Sequence, residues 1–183
     1  MSRYELLLFL HIVCVIVWLG TGTALGLIAL LAARGESSLA QVLGPLRRTL
    51  GPRVFGPSAL GALVFGMLLV LDGSWTFEPL WIQLGLGAFA ISFLLNVAVR
   101  APLVRRQERG EIDAARIGRL LGGLALFELT VLYLAVADMV AKPVGGDTLT
   151  LIVGGAILVL SGAFAASRWR SPATLAPGRP TRS

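Results

Sequence analysis

Charge is scarce in this chain. Only 14% of its 183 residues are Asp, Glu, Lys or Arg while 56% are hydrophobic, against about a quarter charged in soluble domains. That is too little charge to wet a globular surface, which excludes a soluble nucleotide-fold enzyme, a disulfide scaffold and a disordered chain. The one cysteine, Cys14, has no internal partner for a disulfide. One histidine, His11, means that the chain by itself builds no bis-histidine haem site. Lysine is reduced to Lys142, the remaining basic residues being arginine, a bias in keeping with a GC-rich bacterial genome. There is no HExxH, no GxSxG and no GxxxxGK[ST] loop, so the familiar soluble catalytic constellations are missing. A net charge of +6 would suit nucleic acid. The basic residues fall between apolar runs instead of lining one face, which argues against such a partner.

What is present is five long apolar runs, at 4–33, 54–71, 80–99, 117–140 and 149–167. A helix crosses the hydrocarbon core with about 20 residues, and unsatisfied backbone groups in lipid exclude open sheets. The expected fold class is therefore all-α, a polytopic bundle of five transmembrane helices forming one domain over residues 1–167, with lipid as its main partner. The first run is too long for the apolar core of a cleaved signal peptide and is expected to remain. Gly-Pro at 51–52 and 56–57, Asp72-Gly73 and Gly145-Gly146 read as turns or helix starts. Residues 168–183 read as a basic, disordered tail.

Charge placement predicts orientation. The first connection carries Arg34, Arg47, Arg48 and Arg53; the third carries Arg100, Arg105, Arg106, Arg109, Arg116 and Arg119; the tail carries Arg168, Arg170, Arg179 and Arg182. Only Arg3 and Lys142 fall on the opposite face. The positive-inside rule then places the amino terminus outside and the carboxyl terminus in the cytoplasm of a bacterial inner membrane, with Trp75, Trp81 and Trp169 as interfacial anchors. These arginines read first as topology signals touching lipid head groups.

Two places could carry chemistry. Tyr4, His11, Cys14, Trp18, Thr21 and Leu25 recur at helical spacing and form a stripe that must look into protein. His11 lies roughly 10 Å below the outer surface if the helix starts near Tyr4. Met67 falls at a similar depth, so a His-Met pair with Trp18 in its pocket is one cofactor reading, with His11 also the candidate metal ligand; packing alone is the other. Glu128 near the middle of the fourth run, with Asn96, Thr130 and Tyr133, is a candidate proton or solute pathway, because carboxyl groups in hydrocarbon usually face the bundle interior. Such an acid is expected to be protonated unless a partner or water reaches it. Asp138 is expected to reach interfacial water or to pair with Lys142 at i, i+4, and Asn96 and Gln83 to form hydrogen bonds between helices. Gly118 and Gly122 form a small-xxx-small pair suited to close packing or to a dimer seam.

Several stretches resemble a known family. Tyr4-Glu5-Leu6-Leu7-Leu8-Phe9-Leu10-His11, Trp18-Leu19-Gly20, Leu50-Gly51-Pro52-Arg53-Val54-Phe55, Asp72-Gly73-Ser74-Trp75 and Asp138-Met139-Val140-Ala141-Lys142-Pro143 resemble the bacterial integral membrane family called domain of unknown function 2269. That resemblance runs from about Tyr4 to Pro143 and implies a small inner-membrane bundle with no established activity, the fifth run being an addition. Leu10-His11 with Trp18 and Gly20 is more loosely similar to the first helix of copper-resistance D membrane domains and HemJ-type protoporphyrinogen oxidases, which implies haem or metal at His11. Three readings follow: a haem- or metal-binding redox membrane protein, a small-solute or proton-coupled transporter component, and a non-catalytic assembly subunit, acting as a homo-oligomer or with a membrane-protein partner.

Overall fold

The computed structural model describes residues 1–33, 37–73, 75–144 and 146–170. These residues form α1 (Arg3–Ala33), α2 (Ser37–Leu50), α3 (Gly56–Asp72), α4 (Leu80–Leu94), α5 (Ala101–Glu108), α6 (Ala114–Ala141) and α7 (Thr148–Arg170). No strand occurs among them. A π-helical turn at Gly51–Phe55 fuses α2 to α3, and another at Leu95–Arg100 fuses α4 to α5. Five of the resulting helices are long and apolar enough to span a membrane, as the apolar runs predict. Of the tail, residues 171–183 lie outside the described residues, as do Arg34 and Gly145.

The expected breaks at the two Gly-Pro pairs are replaced by continuous helix. Proline lacks the N–H that an α-ladder needs and crowds the carbonyl four residues back. Here the ladder shifts by one residue just ahead of Pro57 and Pro102. Gly56 N–H donates to the Gly51 carbonyl immediately before Pro57, and Ala101 N–H donates to the Asn96 carbonyl immediately before Pro102. A π turn absorbs the defect without ending the helix. The second and third spans therefore run over Gln41–Asp72 and Leu80–Glu108, well past the apolar runs.

The bundle has two chemically distinct ends. At the tryptophan end, Arg3 pairs with Asp72 at 3.1 Å, and Trp75 meets Trp81 edge to face at 5.6 Å. Lys142 ends α6 in a left-handed conformation, φ 46°, with its ammonium 5.5 and 5.3 Å from those two rings. Of the two readings of Asp138, the pairing with Lys142 is not the one seen: Lys142 takes this cation–π placement, and the Asp138 carboxylate oxygens are buried with no hydrogen-bond partner among the described residues. At the arginine end, Leu103 of α5 packs against Ile117, Leu120, Leu121 and Leu124 of α6. Helix α6 sits among α1, α4 and α7, while α1 bridges α3 and α6. Helix α7 packs on α6, and its outer residues Val159 and Leu160 are exposed, as a lipid-facing surface requires.

The stripe on α1 meets a row of small residues on antiparallel α3. A Cβ added to Gly61 would lie 2.7 Å from Cys14 Sγ, and one added to Gly66 would lie 3.1 Å from His11 Cε1. The glycines thus admit the two side chains that the stripe projects. Gly61→Ala is expected to cost about 1–3 kcal/mol through overpacking, read as a lower melting temperature in detergent. Cys14→Ala in the same chain should recover most of that loss, and Gly154→Ala, which meets nothing within 4 Å, should leave the melt near wild type.

Candidate functional site

Helices α1, α3, α4 and α6 line a partly open cavity of about 530 Å³ toward the tryptophan end. His11, Trp18, Met67, Trp81, Phe89 and Lys142 are among its lining residues, and most of the remaining wall is aliphatic. Its volume falls within the roughly 300–1,000 Å³ of small-molecule and cofactor sites. The three residues that the sequence nominates for a cofactor therefore share one cavity.

Polar groups on this wall are few and placed. His11 Nδ1 lies 2.8 Å from the Ala62 carbonyl oxygen. A carbonyl only accepts, so Nδ1 donates, and the neutral ring keeps its lone pair on Nε2. Nε2 has no partner among the described residues. Gly66 makes this geometry possible, since a side chain there would meet the imidazole. One and two turns farther along, Cys14 and Trp18 continue the same face. Trp18 is 7% exposed and held edge to face by Phe55 and Phe89 at 6.2 and 5.8 Å, yet its Nε1–H has no acceptor among the described residues. A buried donor without an acceptor is uncommon. Among the described residues no three His, Cys, Asp or Glu side chains converge as a metal site, so a bare ion at His11 would lack the usual protein ligand set.

Glu128 occupies a second, separate site. It is 4% exposed, and its carboxylate is fully engaged. Ser92 Oγ and Asn96 Nδ2 donate to Oε1 at 2.5 and 2.7 Å, and Arg100 Nη2 donates to Oε2 at 2.6 Å. Arg100 Nη1 donates to Asn96 Oδ1 at 2.6 Å, and Asn96 Nδ2 also reaches the Ser92 carbonyl at 2.9 Å. The condition attached to the expectation of a protonated acid applies here: partners on the neighbouring helix reach the carboxyl group in a charge-assisted network.

The π turn explains why Arg100 reaches it. Each four-residue step on an α-helix overshoots a full turn by about 40°, so Arg100 would stand about 80° round from Ser92 on a regular helix. The turn at Leu95–Arg100 closes bonds five residues back, winds more slowly and returns Arg100 toward the Ser92 face. Sequence reasoning placed Arg100 among the topology arginines. The available signal was the spacing of four in Ser92, Asn96 and Arg100, followed by Pro102.

The remaining nominated residues do not join Glu128. Thr130 Oγ1 donates to its own helix at Leu126, and Tyr133, half exposed, donates to Thr23 Oγ1 on α1, which itself donates to the Leu19 carbonyl. Gln83 closes the preceding loop by donating to the Phe77 and Glu78 carbonyls, in place of the expected bond between helices. Compared with family models, curated proteins and solved structures, the chain matches none.

Removing one member of the network should be costly, because it strands a buried charge. Glu128→Gln or Arg100→Met alone is expected to lower stability by about 3–5 kcal/mol. The double variant Glu128→Leu/Arg100→Met should lose less than the sum of the two, measured by thermal melts arranged as a double-mutant cycle.

Proposed function

We propose that the chain is a multi-pass protein of the bacterial inner membrane, its arginine end in the cytoplasm, whose cavity holds a haem-type macrocycle. The observation that carries this reading is the apolar cavity shared by His11, Met67 and the buried, acceptorless Trp18 indole. The orientation rests on the arginine distribution. The residues present fit the group. His11 would hold the group through Nε2, its tautomer and ring set by the Ala62 carbonyl, the arrangement by which a second hydrogen bond orients a ligating imidazole. Met67 supplies a soft thioether on the same wall. Aliphatic side chains exclude water, and Trp18 provides one donor inside the cavity. Lys142, at the tryptophan end, would offer a cation to an acidic group on the bound molecule. When bound, the haem supplies one-electron chemistry at its iron. The protein's part is to hold it in a dry site on one side of the membrane.

The Arg100–Glu128 network supports this assignment over a proton pathway, because it leaves Glu128 ion-paired and away from Thr130 and Tyr133.

Protein purified after haem-sufficient expression should show a stoichiometric Soret band. His11→Ala should abolish the band, and Gly66→Ala, which crowds the imidazole, should weaken it. A colourless, metal-free wild type would end the proposal. For orientation, in a Cys14→Ala background, Glu78→Cys should react with a membrane-impermeant maleimide in intact cells and Glu108→Cys should not; the reverse pattern would invert the topology.

A further inference from the structure

One side of the cavity is open to the surroundings of the bundle. Toward the arginine end, α1 and α6 are in contact: a Cβ added to Gly26 would lie 3.1 Å from Leu129 Cδ1, and Thr23 and Tyr133 share a hydrogen bond at 3.0 Å. Toward the tryptophan end the same two faces continue through Ile16 and Ile12 on α1 and through Val136 and Val140 on α6, at helical spacing. All four line the cavity. Yet Ile12 and Ile16 are 46% and 64% exposed, and Val140 is 81% exposed. Side chains that border the interior and also show on the outer surface mark a gap between their helices. The α4 wall differs: Ile82 and Ala88 are buried, and Met139 of α6 occupies the space beside Gly85. The mouth therefore lies between α1 and α6. Ile12 and Ile16 stand about 14 and 20 Å along the helix from Arg3, within the first span, so the mouth faces lipid chains and not water.

The lining chemistry says what could enter. Along α1 the lining runs from Tyr4 to Leu19, about 22 Å of helix. Tyr4 and Lys142 line its tryptophan end. Among the described residues the Lys142 ammonium has two indole contacts and no ion pair, and the Tyr4 hydroxyl has no hydrogen bond. Below them the wall is apolar apart from His11 and the Trp18 indole. A cation and a hydroxyl at the interface, above a tall apolar space, suit a molecule with an acidic head and a long apolar body, the head held by charge-assisted hydrogen bonds. We propose that the cavity exchanges its ligand sideways with the leaflet at the tryptophan end, through the mouth between α1 and α6, and takes a membrane-dissolved carboxylate amphiphile whose head is held by Lys142. This deepens the reading of the cavity as a ligand site and rests on it, whether or not the ligand is a haem.

The test uses the full-length, haem-free protein in phosphatidylcholine vesicles, with Trp75→Phe, Trp81→Phe and Trp169→Phe so that Trp18 alone reports from inside the cavity. The probes are a long-chain fatty acid brominated at mid-chain, its methyl ester, and a phosphatidylcholine brominated at the same place; bromine quenches an indole on near contact. The acid is expected to quench Trp18, the ester to do so with about tenfold lower apparent affinity, and the brominated phosphatidylcholine to have little effect, because Trp18 is buried. Lys142→Gln should bring the acid to the level of the ester. In a Cys14→Ala background, joining Ile16→Cys to Val140→Cys with a bis-maleimide should slow the onset of quenching by about tenfold or more, and joining Leu63→Cys to Leu86→Cys across α3 and α4 should leave it unchanged. No quenching by the acid, equal affinities of acid and ester, an unchanged affinity in Lys142→Gln, or equal rates in the two linked proteins would overturn the proposal. A colourless wild type that is quenched by the acid ends the haem reading and keeps this one; a haem-binding wild type whose haem-free form admits no acid does the reverse. Should the triple Trp variant fail to fold, native mass spectra should show the otherwise wild-type chain retaining about tenfold more fatty acid than Lys142→Gln, and equal retention would refute the site.

Discussion

Hydrocarbon supplies no hydrogen bond, and the architecture follows from that. Every backbone N–H and carbonyl along the five spans must find its partner inside the protein, so the spans are helical and remain so through sequences that would break a helix in water. The π turns ahead of Pro57 and Pro102 show the same pressure at work. Ending the helix there would expose backbone groups, whereas shifting the ladder by one residue costs little and keeps nearly all of them bonded.

The same constraint sorts the side chains. Glu128 is tolerable because three donors, one of them a guanidinium, engage its oxygens, and Ser92, Asn96 and Arg100 line up because the second π turn rewinds their helix. Backbone defect and polar network are thus one device: the proline that forces the turn also aims the arginine. Replacing a buried ion pair by apolar residues often costs little, so the value of this one lies in specifying register between α4 and α6 more than in raw stability.

The tryptophan end is organised differently. There the bundle leaves space, and its polar atoms are sparse: one imidazole nitrogen, one indole N–H and one ammonium stacked on two indoles. Gly61 and Gly66 let α1 and α3 approach closely enough for Cys14 and His11 to be seated, so the small residues govern which functional groups line the cavity. The two ends of the bundle thus differ: one ties helices together through a polar network, and the other leaves a cavity.

Fold class was legible from the amino acids alone, because lipid as solvent admits few solutions for runs of this length and composition. The inward stripe of Tyr4, His11, Cys14 and Trp18 was legible too, since helical periodicity is a local property. Helix ends were not: Gly-Pro is a breaker in water, and only the assembled bundle shows the ladder slipping past it. The partner of Glu128 was equally hidden, because Arg100 looks like any other interfacial arginine until the π turn rotates it inward. Lys142 lying over two indoles, and His11, Trp18 and Met67 gathering around one cavity, depend on contacts between residues far apart in the chain. Such contacts are decided by how α1, α3, α4 and α6 pack, which no local pattern encodes.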